Sequence, residues 1–356
     1  MRIATPLALF LAIPATCGCG VGARTVAPDR FDYTEALSTS WKQQMLVNMV
    51  KLRYGDTPVF LDVASVINQY AVETQVDLRF AWVNPVVSVG DSQSVGGSAK
   101  YSDRPTITYT PLSGERFARS LMKPLAPPAV LSLIQAGYPV DLVLRICTHS
   151  VNGIRNRYGG SVRARPADAE FFPLLQRMRR MQDSGALGLR VQKTTEMEGV
   201  VMTFRRKVDA PLEEDATFVR KALGLDPNAQ EFRVAYGSIP KDDKEIAILS
   251  RSMLEIIIDL ASYIDVPPDH VRDGRVGPTI PPETGSGVDP APLIRIKSHH
   301  DKPSDIFVAV PYRNHWFWID DHDPRSKSIF TFLMFIFSLT ETEGRENAPI
   351  VTIPAG

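Results

Sequence analysis

Leu187-Gly188-Leu189-Arg190-Val191-Gln192-Lys193 and, after a short polar interval, Gly199-Val200-Val201-Met202-Thr203-Phe204-Arg205-Arg206 are the two strand-like runs on which the fold class turns. Together they predict a hairpin. A helical pattern follows near 213–223, a strand near 230–236, and a strongly apolar helix from Ser250 to Ile264. That alternation is the pattern of an α+β fold, with mixed helices and mainly antiparallel strands in one large or two closely packed domains.

Working back from the hairpin, a helix is predicted over Ala167 to Asp183, closed by Gly185. Three helical patterns precede it, at about 113–123, 128–136 and 139–151. Pro124 and Pro127-Pro128 restart the chain between them, and Gly137 ends the second as a left-handed cap. Thr106 to Thr110 reads as strand, Asn84 to Gly97 as a Gly/Ser-rich loop, and Pro58 to Trp82 as extended chain with alternation in Val59-Phe60-Leu61-Asp62-Val63. Tyr33 to Tyr54 places Leu37, Trp41, Met45, Met49 and Leu52, with Leu46 and Val50, on one side of a helix that Gly55 stops.

Working forward, Val266 to Pro292 is dominated by Pro, Gly and Asp and reads as a surface loop or linker. Strands are predicted near 293–298, 306–312 and 315–319, the last two joined around Arg313-Asn314. Ile329 to Leu339 is nearly all apolar yet too short to span a bilayer, so it reads as a buried central helix. The reading divides the body into a helix-rich α+β region, 31–185, and an α+β region, 186–356, that contains the 266–292 loop.

The chain of 356 residues is 44% hydrophobic, enough for a sizeable core. Its 40 basic and 40 acidic residues balance, which argues against nucleic acid as a partner, because phosphate neutralisation needs a basic excess. At the N-terminus Arg2, the uncharged run Ile3 to Ile13, and Pro14-Ala15-Thr16-Cys17-Gly18-Cys19-Gly20 read as a signal peptide over 1–19. Its small-residue exit before a cysteine is similar to that of bacterial lipoproteins and marks Cys17 or Cys19 for lipidation. Residues 20–30 then read as an extended tether to the membrane. Gly after either cysteine implies outer-membrane sorting, and ordinary cleavage near Ala23 is the alternative, giving a free periplasmic protein. Cys147 alone lies in the body, so no internal disulfide framework forms, and its helical apolar neighbours mark it as a buried thiol.

Three runs, Gln43-Gln44-Met45-Leu46-Val47-Asn48-Met49-Val50-Lys51-Leu52-Arg53-Tyr54-Gly55-Asp56-Thr57-Pro58-Val59-Phe60-Leu61-Asp62-Val63, Ser102 to Phe117, and His315-Trp316-Phe317-Trp318-Ile319-Asp320-Asp321, resemble a group of uncharacterised Gram-negative envelope lipoproteins. The resemblance covers most of the chain beyond the leader and implies an envelope location. It implies no activity, cofactor or catalytic residue.

Four constellations carry candidate chemistry. Gly90-Asp91-Ser92 after a strand-like run is the turn that bears a nucleophilic serine in some esterases, but the partner blocks are absent, leaving Ser92 and His322 without an assembled set. His299, His300, His315 and His322, among Asp301, Asp320, Asp321 and Asp323, are candidate metal ligands if the hairpin gathers them, although no spacing is a metal signature. Asp323-Pro324 fits a helix start instead. Trp316 and Trp318 share one face of a strand, either as a sugar-stacking platform or, the favoured reading, as core. Arg145, Arg155, Arg157, Arg163 and Arg165 form a basic run that either binds anionic head groups or an acidic partner or, as favoured, is solvated or paired with Asp209, Glu213, Glu214 and Asp215. No cofactor is implied. The sequence therefore predicts a lipid-anchored structural or adaptor protein with an envelope protein partner, the alternatives being a periplasmic hydrolase and a glycan- or lipid-binding module.

Overall fold

The computed structural model describes residues 21–67, 70–79, 94–103, 106–112, 115–160, 164–193, 198–205, 208–281 and 292–341. Signal peptide 1–19, Cys17, Cys19, Ser92 and Arg163 lie outside the described residues.

Helix α1 (Val21–Arg53) buries Met45, Leu46, Met49 and Val50 on the predicted face. Gly55, at φ +75°, ends it as expected. The start differs from the sequence reading, because 21–30 is helix and not extended tether. Once the packed turns downstream are nucleated, extension toward the N-terminus is cheap per residue, and Ala23 and Ala27 are strong helix formers, although Pro28 contributes no N–H to the ladder.

Strands β1 (Phe60–Ile67) and β2 (Tyr70–Arg79) run out, and β3 (Ser94–Asp103) and β4 (Thr106–Leu112) run back. β1 pairs with β4 and β2 with β3, both antiparallel, in one register offset from Ile67↔Thr106 through Arg79↔Ser94. Ser94 to Gly97, expected in a loop, belong to this ribbon. Gly and Ser lower strand propensity, but the ladder pairs them with β2, whose Val and Thr residues favour extended backbone.

Helices α2 (Glu115–Met122), α3 (Pro127–Gln135) and α4 (Val140–Cys147) follow, with Gly137 at φ +99° between the last two. α4 ends earlier than predicted because Thr148–Val151 form strand β5, hairpinned to β6 (Ile154–Arg155) through Asn152 and Gly153, both at positive φ. Thr148 and Val151 are β-branched, and pairing to a distant strand outweighs continued helix.

After α5 (Phe171–Asp183) comes the predicted hairpin, β7 (Leu187–Lys193) and β8 (Glu198–Phe204), in register Leu187↔Phe204 to Lys193↔Glu198. Then follow α6 (Ala210–Leu223), β9 (Glu231–Tyr236), β10 (Glu245–Ser250) and α7 (Met253–Ala261). β10 was not legible in the sequence: Ile246, Ala247 and Ile248 are buried in succession, so the strand shows no polar alternation. It is the pivot of a six-stranded sheet of order β6-β5-β10-β9-β8-β7, antiparallel except between β9 and β10. That sheet draws β5 and β6 from before residue 185 and the other strands from after it.

The Pro/Gly-rich stretch contains a short helix, α8 (Pro268–Arg272). β11 (Lys297–His299), β12 (Ile306–Tyr312) and β13 (His315–Asp320) make an antiparallel sheet of order β11-β13-β12. The closing helix α9 (Pro324–Glu341) buries Ile329, Phe330, Phe332, Leu333, Ile336 and Phe337 as predicted, with Phe337 stacked on Phe60 at 4.8 Å. The result is an α+β fold with one continuous core running from α1 to α9. Cys147 lies fully inside it, and burial pushes its thiol pKa up to about 12.

Candidate functional site

The β12–β13 hairpin turns on Arg313 and Asn314, at φ +47° and +64°, the pair of positive angles that a two-residue turn between twisted strands requires. From this turn β13 alternates strictly: His315, Phe317 and Ile319 point inward and are buried, while Trp316, Trp318 and Asp320 point outward and are half-buried. Trp316 and Trp318 do share a face, but it is not the core face. Phe317 and Ile319 occupy that side against α9, and a period of two leaves the tryptophans the other. Lys302 Nζ sits 5.4 Å from the Trp316 ring centre. Trp318 borders a depression of about 350 Å³ with Lys297, His299, Asp301, Asp320 and His322.

The four candidate histidines divide into two places. His300, just past β11, lies with its ring 3.9 Å from that of the buried His315, and the two share the end of the hairpin. His299 and His322 are exposed and do not join that pair, although the His299 ring lies edge-on 6.5 Å from that of His300. His299 Nδ1 accepts from the Asp301 backbone N–H at 3.0 Å, and His322 Nδ1 lies 3.4 Å from Asp320. Asp320 is committed to Lys297 at 2.9 Å, whose hydrogen bond, with a backbone bond from His322, holds its carboxyl near pKa 2. Asp323 is likewise committed, accepting from the Ser326 N–H and hydroxyl at the start of α9 as the helix-start reading predicts.

What His300 and His315 meet comes from the loop that the sequence marked only as Pro/Gly-rich. One nitrogen of each imidazole and an oxygen of Asp269 lie within 4.8 Å of one another, with His315 Nε2 at 3.9 Å from Asp269 Oδ1. His270, buried on α8, packs edge-on against His315 at 4.7 Å and brings its Nε2 to 4.0 Å from Asp269 Oδ2. Its Nδ1 is hydrogen-bonded to the Tyr54 hydroxyl at 2.7 Å. Burial lifts the Tyr54 phenol to about 12, so it stays protonated, and burial holds His270 below the ordinary imidazole value despite Asp269. Both shifts follow from desolvation of the charged forms.

The end of α1 is the fixed wall of this cluster. Arg53 donates to the carbonyls of Gly277 and Pro278, both at 2.8 Å, tying α1 to the chain beyond α8. Asp56 receives the Tyr312 hydroxyl and the Arg313 guanidinium, the latter at 3.1 Å, and so pins the hairpin to α1. Asp269, His270 and Tyr54 were missed from sequence. The signal that remains in retrospect is an adjacent Asp-His pair behind Pro267-Pro268, which is too short to mark a site.

Among the described residues the basic run does not form one exposed patch, since Arg155 is exposed and Arg157 buried. Arg155 is paired with Asp168 at 3.1 Å, and Arg157 is buried with its guanidinium 4.3 Å from the Tyr263 ring. Arg165 donates to the Asn156 carbonyl at 2.8 Å. In the later acidic run Asp215 is held by Arg177 and Arg180, at 2.8 and 2.6 Å. Sheet formation at β5–β6 turns part of the run inward, which charge counting along the chain does not register.

No helix among the described residues is long and apolar enough to cross a membrane. No family model, curated protein or solved structure matches the chain.

Proposed function

We propose that the protein is exported, held at the outer membrane by a lipid on Cys17 or Cys19, and serves as a structural or adaptor component that binds another envelope protein. The leader supports the first part, since its apolar run is too brief for a permanent span and ends in small residues before cysteine. The observation that carries the second is the two-stranded ribbon. Among the described residues no third strand pairs with β1–β4 or with β2–β3. Each ten-residue strand of the outer pair therefore presents about 33 Å of edge, at ~3.3 Å per residue. An isolated two-stranded ribbon is marginal in water, and unpaired edges recruit an extended segment by β-augmentation.

Replacing residues 68–105 by a short Gly/Ser connector removes β2 and β3 while retaining Phe60 and its stacking on Phe337. Crosslinking in intact cells is expected to capture a discrete envelope protein with the natural chain and to lose it with the shortened one. Equal capture by both, or a chain that remains in the cytosol with Met1 attached, would refute the reading.

A further inference from the structure

We infer that Asp269, His300 and His315 form a binding site for one divalent transition-metal ion of the zinc type. The three side chains come from separate segments, namely α8, the chain just past β11, and the first residue of β13, yet their donor atoms fall within 4.8 Å of one another. Donors bound to zinc at about 2.0–2.2 Å lie ~3.4 Å apart around a tetrahedron, so small side-chain rotations close the site.

The surroundings supply the support that metal ligands need. His315 Nδ1 faces the Arg313 carbonyl and His300 Nδ1 faces the Asn314 carbonyl, each at 3.4 Å. A carbonyl only accepts, so both rings carry their proton on Nδ1 and leave the Nε2 lone pair for an ion. Both carbonyls belong to the hairpin turn whose positive φ angles were described above, so one rigid feature orients two ligands. Asp269 has His270 Nε2 at 4.0 Å, and His270 is itself gripped by Tyr54. Arg313, the nearest cation on the turn, is neutralised by Asp56 at 3.1 Å.

Donor chemistry sets the class of ion. Two imidazoles and one carboxylate suit zinc, nickel, copper or ferrous iron, whereas calcium and magnesium require oxygen shells. His315 is buried, Asp269 half-buried and His300 exposed, so the ion would sit at the surface with coordination positions open to water or to a partner's side chain.

The test is titration of the chelator-stripped full chain with zinc, read by calorimetry and by thermal unfolding. One ion per chain and a raised Tm are expected, because a site assembled only by the fold stabilises it on binding. Asp269→Asn and His300→Ala alter residues outside the core and are expected to weaken binding by about 100-fold or more, with the circular dichroism spectrum unchanged. His299→Ala and His322→Ala, on the neighbouring surface, are expected to bind as the natural chain does. Absence of stoichiometric zinc, equal affinity in Asp269→Asn and His300→Ala, or loss in the His299 and His322 variants overturns the assignment.

Discussion

Arg251 is a fully buried charge whose two terminal nitrogens are both held, while its Nε is buried without a hydrogen-bond partner. Nη1 meets Asp259 Oδ2 at 3.0 Å and the Ile146 carbonyl at 3.3 Å, and Nη2 donates to the Arg157 carbonyl. Asp259 in turn accepts the Gly159 backbone N–H. The pair therefore ties α7 to α4 and to the segment after β6. At Gly159 itself a Cβ would lie 2.1 Å from the Ser262 hydroxyl oxygen, so only glycine permits this approach. Removing one member of a buried pair leaves the other charged and unsolvated, and Arg251→Ala is expected to destabilise by about 3–5 kcal/mol, measured as a shift of the urea midpoint. In the sequence the only trace of this network is Asp259 interrupting an otherwise apolar run.

Among the elements, α7 has a boundary that can be derived atom by atom. Ser252 Oγ accepts from the Glu255 N–H at 3.3 Å, and Glu255 Oε2 accepts from the Ser252 N–H at 2.9 Å, a complete capping box. His149 on β5 adds a contact to Glu255 at 3.1 Å, and that hydrogen bond, ahead of those from Ser252, lowers the carboxyl to about 2. A depressed carboxyl stabilises the fold above its unfolded pKa, near ~4.3, and that contribution is lost as pH falls toward about 2. Urea midpoints taken from pH 5 down to pH 2.5, as ~unit-scale steps, are expected to fall less steeply for Glu255→Gln than for the natural chain. Strand β13 shows the complementary lesson. Its alternation in sequence establishes two faces, but which face is core is decided by α9 lying against Phe317 and Ile319.

At the scale of the molecule, the two halves are not separable through the main sheet, because β5 reaches β10 across about a hundred residues of chain. A chain ending at residue 185 leaves β5 and β6 without that partner, and it also lacks α9, against which Phe60 stacks. Residues 21–185 alone are therefore expected to show no cooperative unfolding transition, with near-ultraviolet circular dichroism as the readout. A sharp transition in that fragment would show that the first half has a self-sufficient core.

The α+β class, the hairpin β7–β8, the turn at Arg313-Asn314, the glycine stops at 55, 137 and 185 and the buried face of α9 that carries Ile329, Phe330, Leu333 and Phe337 were all determined by local sequence, since periodicity and left-handed φ preference act within a few residues. Tertiary structure alone decided that β10 exists, that α4 gives way to β5 at Thr148, and that Trp316 and Trp318 face outward. It alone brought Asp269 and His270 to His300 and His315. Each of those outcomes depends on partners far along the chain, and a contact between residues 54, 270 and 315 leaves no periodic trace in the sequence that forms it.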